Sequence, residues 1–160
     1  SSNISISDTS AATYTTTGEQ IVASLPIPPN YLLAGSTYRV RAMIERTGTT
    51  SSTDVVSARI GTTTAANAGN ILATWSRAAA VATVSFTVDW TFTVRTTGAS
   101  GTMSGGGTNV LTATTSLTPA TGVATAQTVD TTALNYLKLT FNQSAANTIG
   151  IIYATIEQIV

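Results

Sequence analysis

Few side chains in this sequence are able to do covalent or acid–base chemistry. The 160 residues include neither cysteine nor histidine, so the usual nucleophile–histidine pairs of covalent catalysis cannot form. A serine paired with Lys138 is the remaining option, but Lys138 stands between Leu137 and Leu139 in an alternating stretch. That alternation predicts a strand on which the lysine faces solvent. The sequence therefore argues against a serine–lysine catalytic pair.

The acidic side chains are scattered along the chain. They are Asp8, Glu19, Glu45, Asp54, Asp89, Asp130 and Glu157. Glycosidases need two carboxylates that face one bond, and calcium sites gather several oxygen ligands, yet no Asp-x-Asp spacing occurs. Asp89 is the most conspicuous, and we interpret it as a single exposed or subunit-paired acid. We predict no catalytic residue, no cofactor and no metal site, and hence a non-enzymatic protein.

Glycines are concentrated in residues 96–108, which include Gly98, Gly101 and the run 105–107. A phosphate-binding loop needs a helix after it and, in the P-loop, a lysine. The sequence predicts no such helix and has no such lysine here. We interpret residues 96–108 as a broad flexible turn.

The charge balance excludes two classes of partner. Seven basic and seven acidic residues give a net charge of zero, without the basic stripe that nucleic-acid binding requires. No apolar run approaches 18 residues, so we predict no membrane insertion. Because free monomers normally keep some net charge to stay soluble, a neutral chain favours a subunit of an assembly.

Threonine dominates the composition and indicates the fold class. The chain has 34 threonines and only 9% charged residues, where about 25% is usual. Threonine is β-branched and suits the solvent side of a pleated sheet. With 42% apolar residues in 160 positions, the sequence predicts one compact all-β domain.

Residues 83–95 form the clearest element. Their apolar members alternate strictly: Val84, Phe86, Val88, Trp90, Phe92 and Val94. A period of two predicts a long strand with one buried face, in the middle of a sheet. We expect the alternating stretches at 38–44 and 137–141 to cover that face.

Other segments predict further strands. They are residues 3–7, two strands within 11–25, then 35–46, 55–60, 71–75, 110–115, 123–129, 134–142 and 148–160. We expect the prolines at 26–29 to prevent pairing and to connect two sheets. Residues 55–60 are expected to return antiparallel to 35–46, and residues 76–80 to form a helical turn. The turn spacing predicts an antiparallel two-sheet β-sandwich of about eight to ten strands.

The last predicted strand is apolar on both faces. One face carries Ile149, Ile151, Tyr153 and Ile159, and the other carries Ile152, Ala154, Ile156 and Val160. Both faces should therefore be covered, one by the core and the other by a neighbouring subunit or by a local loop. We predict Ile151, Tyr153 and Ile159 as subunit-interface residues.

Aromatic side chains raise a second hypothesis. Sugars stack on exposed aromatic rings and hydrogen-bond to amides and carboxylates. Tyr31, Trp75 and Tyr136 are the candidate contacts for a host-surface glycan.

Several segments resemble the jelly-roll modules of bacteriophage virion proteins. Residues 33–41 (LAGSTYRVR), 54–61 (DVVSARIG) and 92–102 (FTVRTTGASGT) are similar to successive strands and turns of those modules. Shorter matches to their closing strands follow at 130–132, 137–140, 147–149 and 154–157. The resemblance covers residues 30–160, and its order carries more weight than any single match.

The resemblance implies a tumour-necrosis-factor-like jelly roll on the surface of a phage particle. Such modules are usually non-enzymatic trimers in capsid decoration proteins or in head or tail fibres. We therefore expect a homotrimer that contacts other virion proteins of the capsid or tail, with residues 30–160 as the sandwich and 1–29 as N-terminal strands and an assembly arm. The alternative is a glycan-binding receptor module of a tail fibre.

Overall fold

The chain is a two-layer, all-β structure. The computed structural model describes residues 13–14, 17–48, 52–79, 83–111, 116–119, 121–122 and 126–160; the strand expected at 3–7 lies outside them. In these ranges no helix is long and apolar enough to cross a membrane. The strands are β1 (Thr13–Tyr14), β2 (Gly18–Ile27), β3 (Thr37–Thr47), β4 (Ser52–Gly61), β5 (Asn70–Ala79), β6 (Thr83–Thr96), β7 (Gly101–Leu111), β8 (Ser116–Pro119), β9 (Thr121–Gly122), β10 (Gln127–Val129), β11 (Asn135–Gln143) and β12 (Thr148–Gln158).

The strands form two antiparallel sheets. Sheet A has the order β1-β12-β3-β6-β7-β10, with β8 also paired to β7, and sheet B has the order β2-β11-β4-β5-β9. The pairs are nested along the chain: β1 with β12, β2 with β11, β3 with β6, and β4 with β5. Strands β7 to β10 follow β6 in the chain and precede β11, so they lie between the β3–β6 pair and the second strand of the β2–β11 pair. The predicted antiparallel β-sandwich is confirmed.

Strand β6 confirms the alternation predicted for residues 83–95. Its apolar side chains are buried, and of the residues between them only Ser85 is buried as well. Phe86 packs edge-to-face against Trp75 at 5.3 Å and against Phe141 at 5.5 Å, measured between ring centroids. Because Trp75 and Phe141 belong to sheet B, these contacts join the two layers and form the centre of the core.

The neighbours of β3 and β4 differ from the prediction. Residues 38–44 lie beside β6 in sheet A, so they do not cover it, whereas 137–141 lie in sheet B and do. Residues 55–60 belong to β4, which pairs with β5 and β11 in sheet B. The expected hairpin of β3 and β4 is therefore wrong. The two strands instead lie in different sheets, and Arg46 of β3 contacts Asp54 of β4 between them.

The proline segment is partly regular. Pro26 lies inside β2, opposite Tyr136 of β11, so the prediction that the prolines prevent pairing is wrong for Pro26. Strand β2 is the edge of sheet B, where a missing backbone N–H can face away from the ladder. The predicted passage between sheets is confirmed, because β2 belongs to sheet B and β3 to sheet A. The predicted division assigned residues 18–27 to the N-terminal segment 1–29. In the structure they form β2, a strand of the sandwich that pairs with β11.

Two predicted irregular segments are strands. Residues 76–79, expected as a helical turn, continue β5 and pair with β4. In the predicted turn 96–108, only residues 97–100 leave the sheet, and β7 begins at Gly101. Local propensity misleads in both places, because pairing with a neighbouring strand overrides it.

Two buried polar pairs interrupt the apolar core. Arg46 of β3 and Asp54 of β4 form an ion pair between the sheets, with Nε and Oδ2 2.9 Å apart and both side chains fully buried. Trp90 of β6 donates its indole N–H to Oδ1 of Asn109 at 2.7 Å. Buried polar groups of this kind fix one arrangement of the core, because any other arrangement would leave them without partners.

Candidate functional site

A β-bulge explains why β12 reads as apolar on both faces. The register against β3 shifts between Ile151 and Tyr153, so one extra residue is inserted and the side-chain alternation is reset. Before the bulge Ile149 and Ile151 point into the core, and after it Ala154 and Ile156 do. The two apolar faces predicted from the sequence therefore do not run along the whole strand, because the alternation changes at the bulge.

The bulge turns two large apolar side chains outwards. Ile152 is 49% exposed and Tyr153 is 37% exposed. Ile159 and Val160, which follow the strand, are also exposed. Strand β12 is nearly an edge, because β1 pairs with it only at Ile149 and Gly150, and within the described ranges no other strand lies on that side. We call the exposed side chains of Ile152, Tyr153, Ile159 and Val160 the β12 surface.

The predicted interface residues separate into two groups. Tyr153 and Ile159 belong to the β12 surface, whereas Ile151 is only 2% exposed and packs in the core. Ile151 is therefore not available for a subunit contact. Ile152 is exposed at the surface instead of Ile151. The bulge causes this difference, and no signal in the sequence predicts the bulge.

The predicted glycan contacts do not converge. Trp75 is buried against Phe86, so its selection as an exposed aromatic is wrong. Tyr136 is half-buried on β11, and Tyr31 is 56% exposed. Tyr31 borders a cavity of about 360 Å³ whose walls include Pro26, Pro28 and Gln158. Of the three residues, Tyr31 is the one that presents an open ring.

Lys138 does not face solvent. Its side chain is fully buried because residues 62–69 fold over the outer face of sheet B. The ammonium donates hydrogen bonds to the backbone carbonyls of Thr63, Ala65 and Ala68 at 3.0, 2.6 and 2.9 Å. Burial lowers the pKa of Lys138, with Arg59 lowering it further and Glu19 opposing them. The prediction of a solvent-facing lysine is wrong, and the observed lysine fastens a loop.

We expect Lys138→Met to lower the free energy of unfolding by roughly 1.5 to 3 kcal/mol, the range for hydrogen bonds to a charged group. Methionine keeps most of the apolar stem of the side chain but lacks the ammonium, so three carbonyls lose their donor. Equilibrium unfolding in urea measures the change. The matched control is Arg41→Met, whose side chain is 44% exposed and 3.8 Å from Glu157; its effect should stay below about 1 kcal/mol. Equal losses in both variants would contradict the fastening role.

Asp89 is an acid engaged by arginine. It accepts two hydrogen bonds from Arg39, at 2.8 Å from Nε and 2.6 Å from Nη2. These bonds hold the pKa of Asp89 below its usual range. The predicted position on the polar face is confirmed, and its partner lies within the same chain. This bidentate pair spans β3 and β6 on the outer face of sheet A.

A second cavity, of about 310 Å³, lies at one end of the sandwich. Its walls come from the loop after β4, from Ala99 in the β6–β7 turn and from residues 128–130 together with Asn135. In the described part of the chain, no group of three or more His, Cys, Asp or Glu side chains gathers at one place. The polar lining of this cavity consists mainly of amides and hydroxyls.

Comparison of the chain with family models, with curated proteins and with solved structures gives no match. The functional proposal therefore rests on the residues and surfaces described above.

Proposed function

We propose that this chain is a non-enzymatic, self-assembling jelly-roll module of a bacteriophage particle. It acts on the virion surface, as a capsid decoration protein or as part of a head or tail fibre, and it assembles as a homotrimer. The observation that carries the assembly step is the β12 surface, which leaves large apolar side chains exposed on a strand that β1 pairs, within the described residues, at two positions. The phage assignment rests on the sequence resemblance.

The strand connectivity supports a jelly roll. In a jelly roll an antiparallel ribbon of four nested strand pairs is rolled into two sheets. The pairs β1–β12, β2–β11, β3–β6 and β4–β5 follow that nesting. They also alternate between the sheets as the roll requires, with the first and third pairs in sheet A and the second and fourth in sheet B.

The exposed residues of the β12 surface support self-association. Contiguous exposed apolar side chains commonly mark interaction sites, and at the bulge Ile152 and Tyr153 are adjacent and both exposed. Aromatic residues such as Tyr153 supply a large share of interface energy. A strand edge with few partners is also a template for pairing with another chain. The zero net charge adds no long-range repulsion between copies.

The engagement of the ionisable groups supports a structural role over a catalytic one. Lys138 is held by three backbone carbonyls. Four of the acids lie within 4 Å of an arginine: Glu19, Asp54, Asp89 and Glu157. Groups committed to such pairs stabilise strands and loops within the chain.

Light scattering coupled to size-exclusion chromatography tests the assembly. We expect the wild-type chain to have the mass of a trimer at micromolar concentration. Tyr153→Arg places a charge in the β12 surface and should weaken association by roughly thirtyfold or more, as expected for the loss of an interface hot spot worth about 2 kcal/mol. Ser76→Arg is the matched control, because it adds the same charge at an exposed position of sheet B.

A wild-type monomer would overturn the assembly proposal. Equal weakening of association by both arginine variants would show that the β12 surface is not the interface. The phage assignment needs a separate measurement. Antibody labelling of purified particles, followed by electron microscopy, should place the chain at the capsid or at a fibre. Its absence from intact particles would contradict a structural role there.

A further inference from the structure

The cavity of about 360 Å³ beside Tyr31 has the size of a small-molecule site, for which about 300 to 1,000 Å³ is usual. Its walls come from β2 at the edge of sheet B, from the turn after β2, and from β3 and β12 of sheet A. Leu25, Ile27 and Tyr38 are at most 3% exposed and form its inner part. Tyr31 is 56% exposed and therefore stands at its rim.

The hydroxyl of Tyr38 is available to a ligand in this cavity. Tyr38 is 2% exposed, and its hydroxyl makes no hydrogen bond with the described residues, although buried tyrosine hydroxyls usually have a partner. The hydroxyl is not fully enclosed, so the small accessible part of Tyr38 includes it. Burial raises the pKa of the phenol, which therefore stays protonated at neutral pH. A ligand that fills the cavity must supply this hydroxyl with a hydrogen-bond partner.

A tight turn holds the Tyr31 ring at the rim. The backbone N–H of Tyr31 donates to the carbonyl of Pro28 at 3.2 Å, which closes a four-residue turn. Pro29 occupies its second position, and Asn30 occupies its third with a φ of 64°. This is the pattern of a type II turn, because proline fixes the second residue and asparagine tolerates a positive φ in the third. The N–H of Asn30 donates to the carbonyl of Thr131 at 2.8 Å, so a fixed backbone presents the ring.

The lining of the cavity selects an uncharged ligand. No lysine, arginine, aspartate or glutamate is among the described residues that line it, so an ionic group would lose its water without gaining a partner. Its polar side-chain groups are the Tyr38 hydroxyl and the amide of Gln158. That amide donates one N–H to the carbonyl of Val160 at 3.2 Å and keeps an oxygen and a second N–H for other contacts. A purely apolar ligand would leave these groups without partners, so the ligand must combine an apolar part with hydrogen-bonding groups.

An N-acetylated sugar has this combination. The π-face of an aromatic ring attracts the partly positive C–H groups of a sugar ring, and Tyr31 offers such a face at the rim. The acetamido group carries a methyl group, which suits the apolar inner part at Leu25 and Ile27, and a carbonyl oxygen that can accept from Tyr38. A proline-rich peptide would need an aromatic-lined groove, and an added strand would need a free sheet edge, whereas this cavity is a single compact one.

We propose that the cavity lined by Tyr31, Tyr38 and Gln158 binds an N-acetylated hexosamine of a neutral glycan. Tyr31 stacks on the sugar ring, Tyr38 donates to the acetamido carbonyl, and Gln158 contacts a ring hydroxyl. This binding activity goes beyond the proposed structural role and does not depend on the trimer. A ligand of about fifteen non-hydrogen atoms with few polar contacts should have a dissociation constant on the order of 1 mM.

The closing experiment follows the amide chemical shifts of the isotope-labelled full chain during titration with N-acetylglucosamine and, separately, with N-acetylgalactosamine. We expect saturable shifts for at least one of them, mainly at residues 25–31, 37–39 and 157–159. Glucose, which lacks the acetamido group, should bind roughly fivefold more weakly or worse. Tyr38→Phe removes only the hydroxyl and should weaken binding roughly two- to tenfold, as for the loss of one hydrogen bond. Because that hydroxyl has no partner among the described residues, the melting temperature of the ligand-free variant should not fall.

Tyr136→Phe is the matched control, because it removes a hydroxyl from a half-buried tyrosine of β11 that does not line the cavity. It should bind the sugar as the wild type does, whereas Tyr31→Ala should weaken binding roughly tenfold. Absence of saturable shifts with both sugars up to about 50 mM would overturn the proposal. Binding that Tyr38→Phe and Tyr31→Ala leave unchanged, or shifts confined to other parts of the chain, would overturn it too.

Titration of Tyr153→Arg separates this site from the assembly. Equal binding by Tyr153→Arg and the wild type is expected, because Tyr153 does not line the cavity. If a second copy of the chain fills the cavity, only Tyr153→Arg will bind the sugar, and that result would overturn the glycan site. A wild-type monomer that binds the sugar would support the glycan site while the assembly proposal fails.

Discussion

Replacing Asp54 by alanine is expected to lower the free energy of unfolding by about 3 to 5 kcal/mol, the cost of leaving one charge of a buried pair uncompensated. Arg46 is fully buried, and its Nε lies 2.9 Å from the Asp54 carboxylate. Without that carboxylate the guanidinium stays charged in the interior and loses the ion pair that joins the two sheets. Equilibrium unfolding in urea, with the slope checked for two-state behaviour, measures the loss.

The double variant Arg46→Met/Asp54→Leu tests whether charge is the cause. Removing both charges while filling the space should recover most of the lost stability, because apolar replacement of a buried ion pair is often close to neutral. Together with the single variants Arg46→Met and Asp54→Leu, the double variant forms a cycle that gives the coupling between the two residues. A loss in Asp54→Ala below about 1 kcal/mol, or strictly additive effects, would show that the pair does not bind the sheets together.

Replacing Gly107 by alanine is expected to lower the free energy of unfolding by roughly 1 to 3 kcal/mol, as for other overpacked sites. Gly107 is paired with Trp90, and a Cβ at Gly107 would lie 2.0 Å from the carbonyl oxygen of Asp89 and 2.9 Å from the Cα of Trp90. Both atoms belong to the backbone of β6, which has a neighbour on each side. Strand β7 would have to move away, which weakens its ladder with β6.

Gly150→Ala is the control for Gly107→Ala. Gly150 is also a strand residue, in β12, but a Cβ there would meet its nearest atom, the Glu45 carbonyl oxygen, at 3.9 Å. Alanine should be tolerated or should stabilise the chain by about 0.4 to 1 kcal/mol, because it restricts the unfolded state. Urea unfolding of the two variants in parallel gives the comparison. Similar behaviour of both would exclude the close approach of β7 to β6 as the reason for glycine.

The candidate sites were only partly accessible from the sequence. Tyr153 and Ile159 were found because an apolar strand with two apolar faces is unusual, and both are exposed. Trp75 and Ile151 could not be excluded, because burial depends on which sheet covers a side chain.

Residue types alone indicate the all-β class, the long strand at 83–95 and most strand positions. Alternation is a local consequence of the pleat, so residue types are enough to reveal it. The bulge before Tyr153, the burial of Lys138 beneath residues 62–69 and the pairing of Gly107 with Trp90 are visible only in the folded chain. Each of these depends on backbone groups of a distant segment, and backbone groups are the same in every residue, so the sequence does not record where they meet.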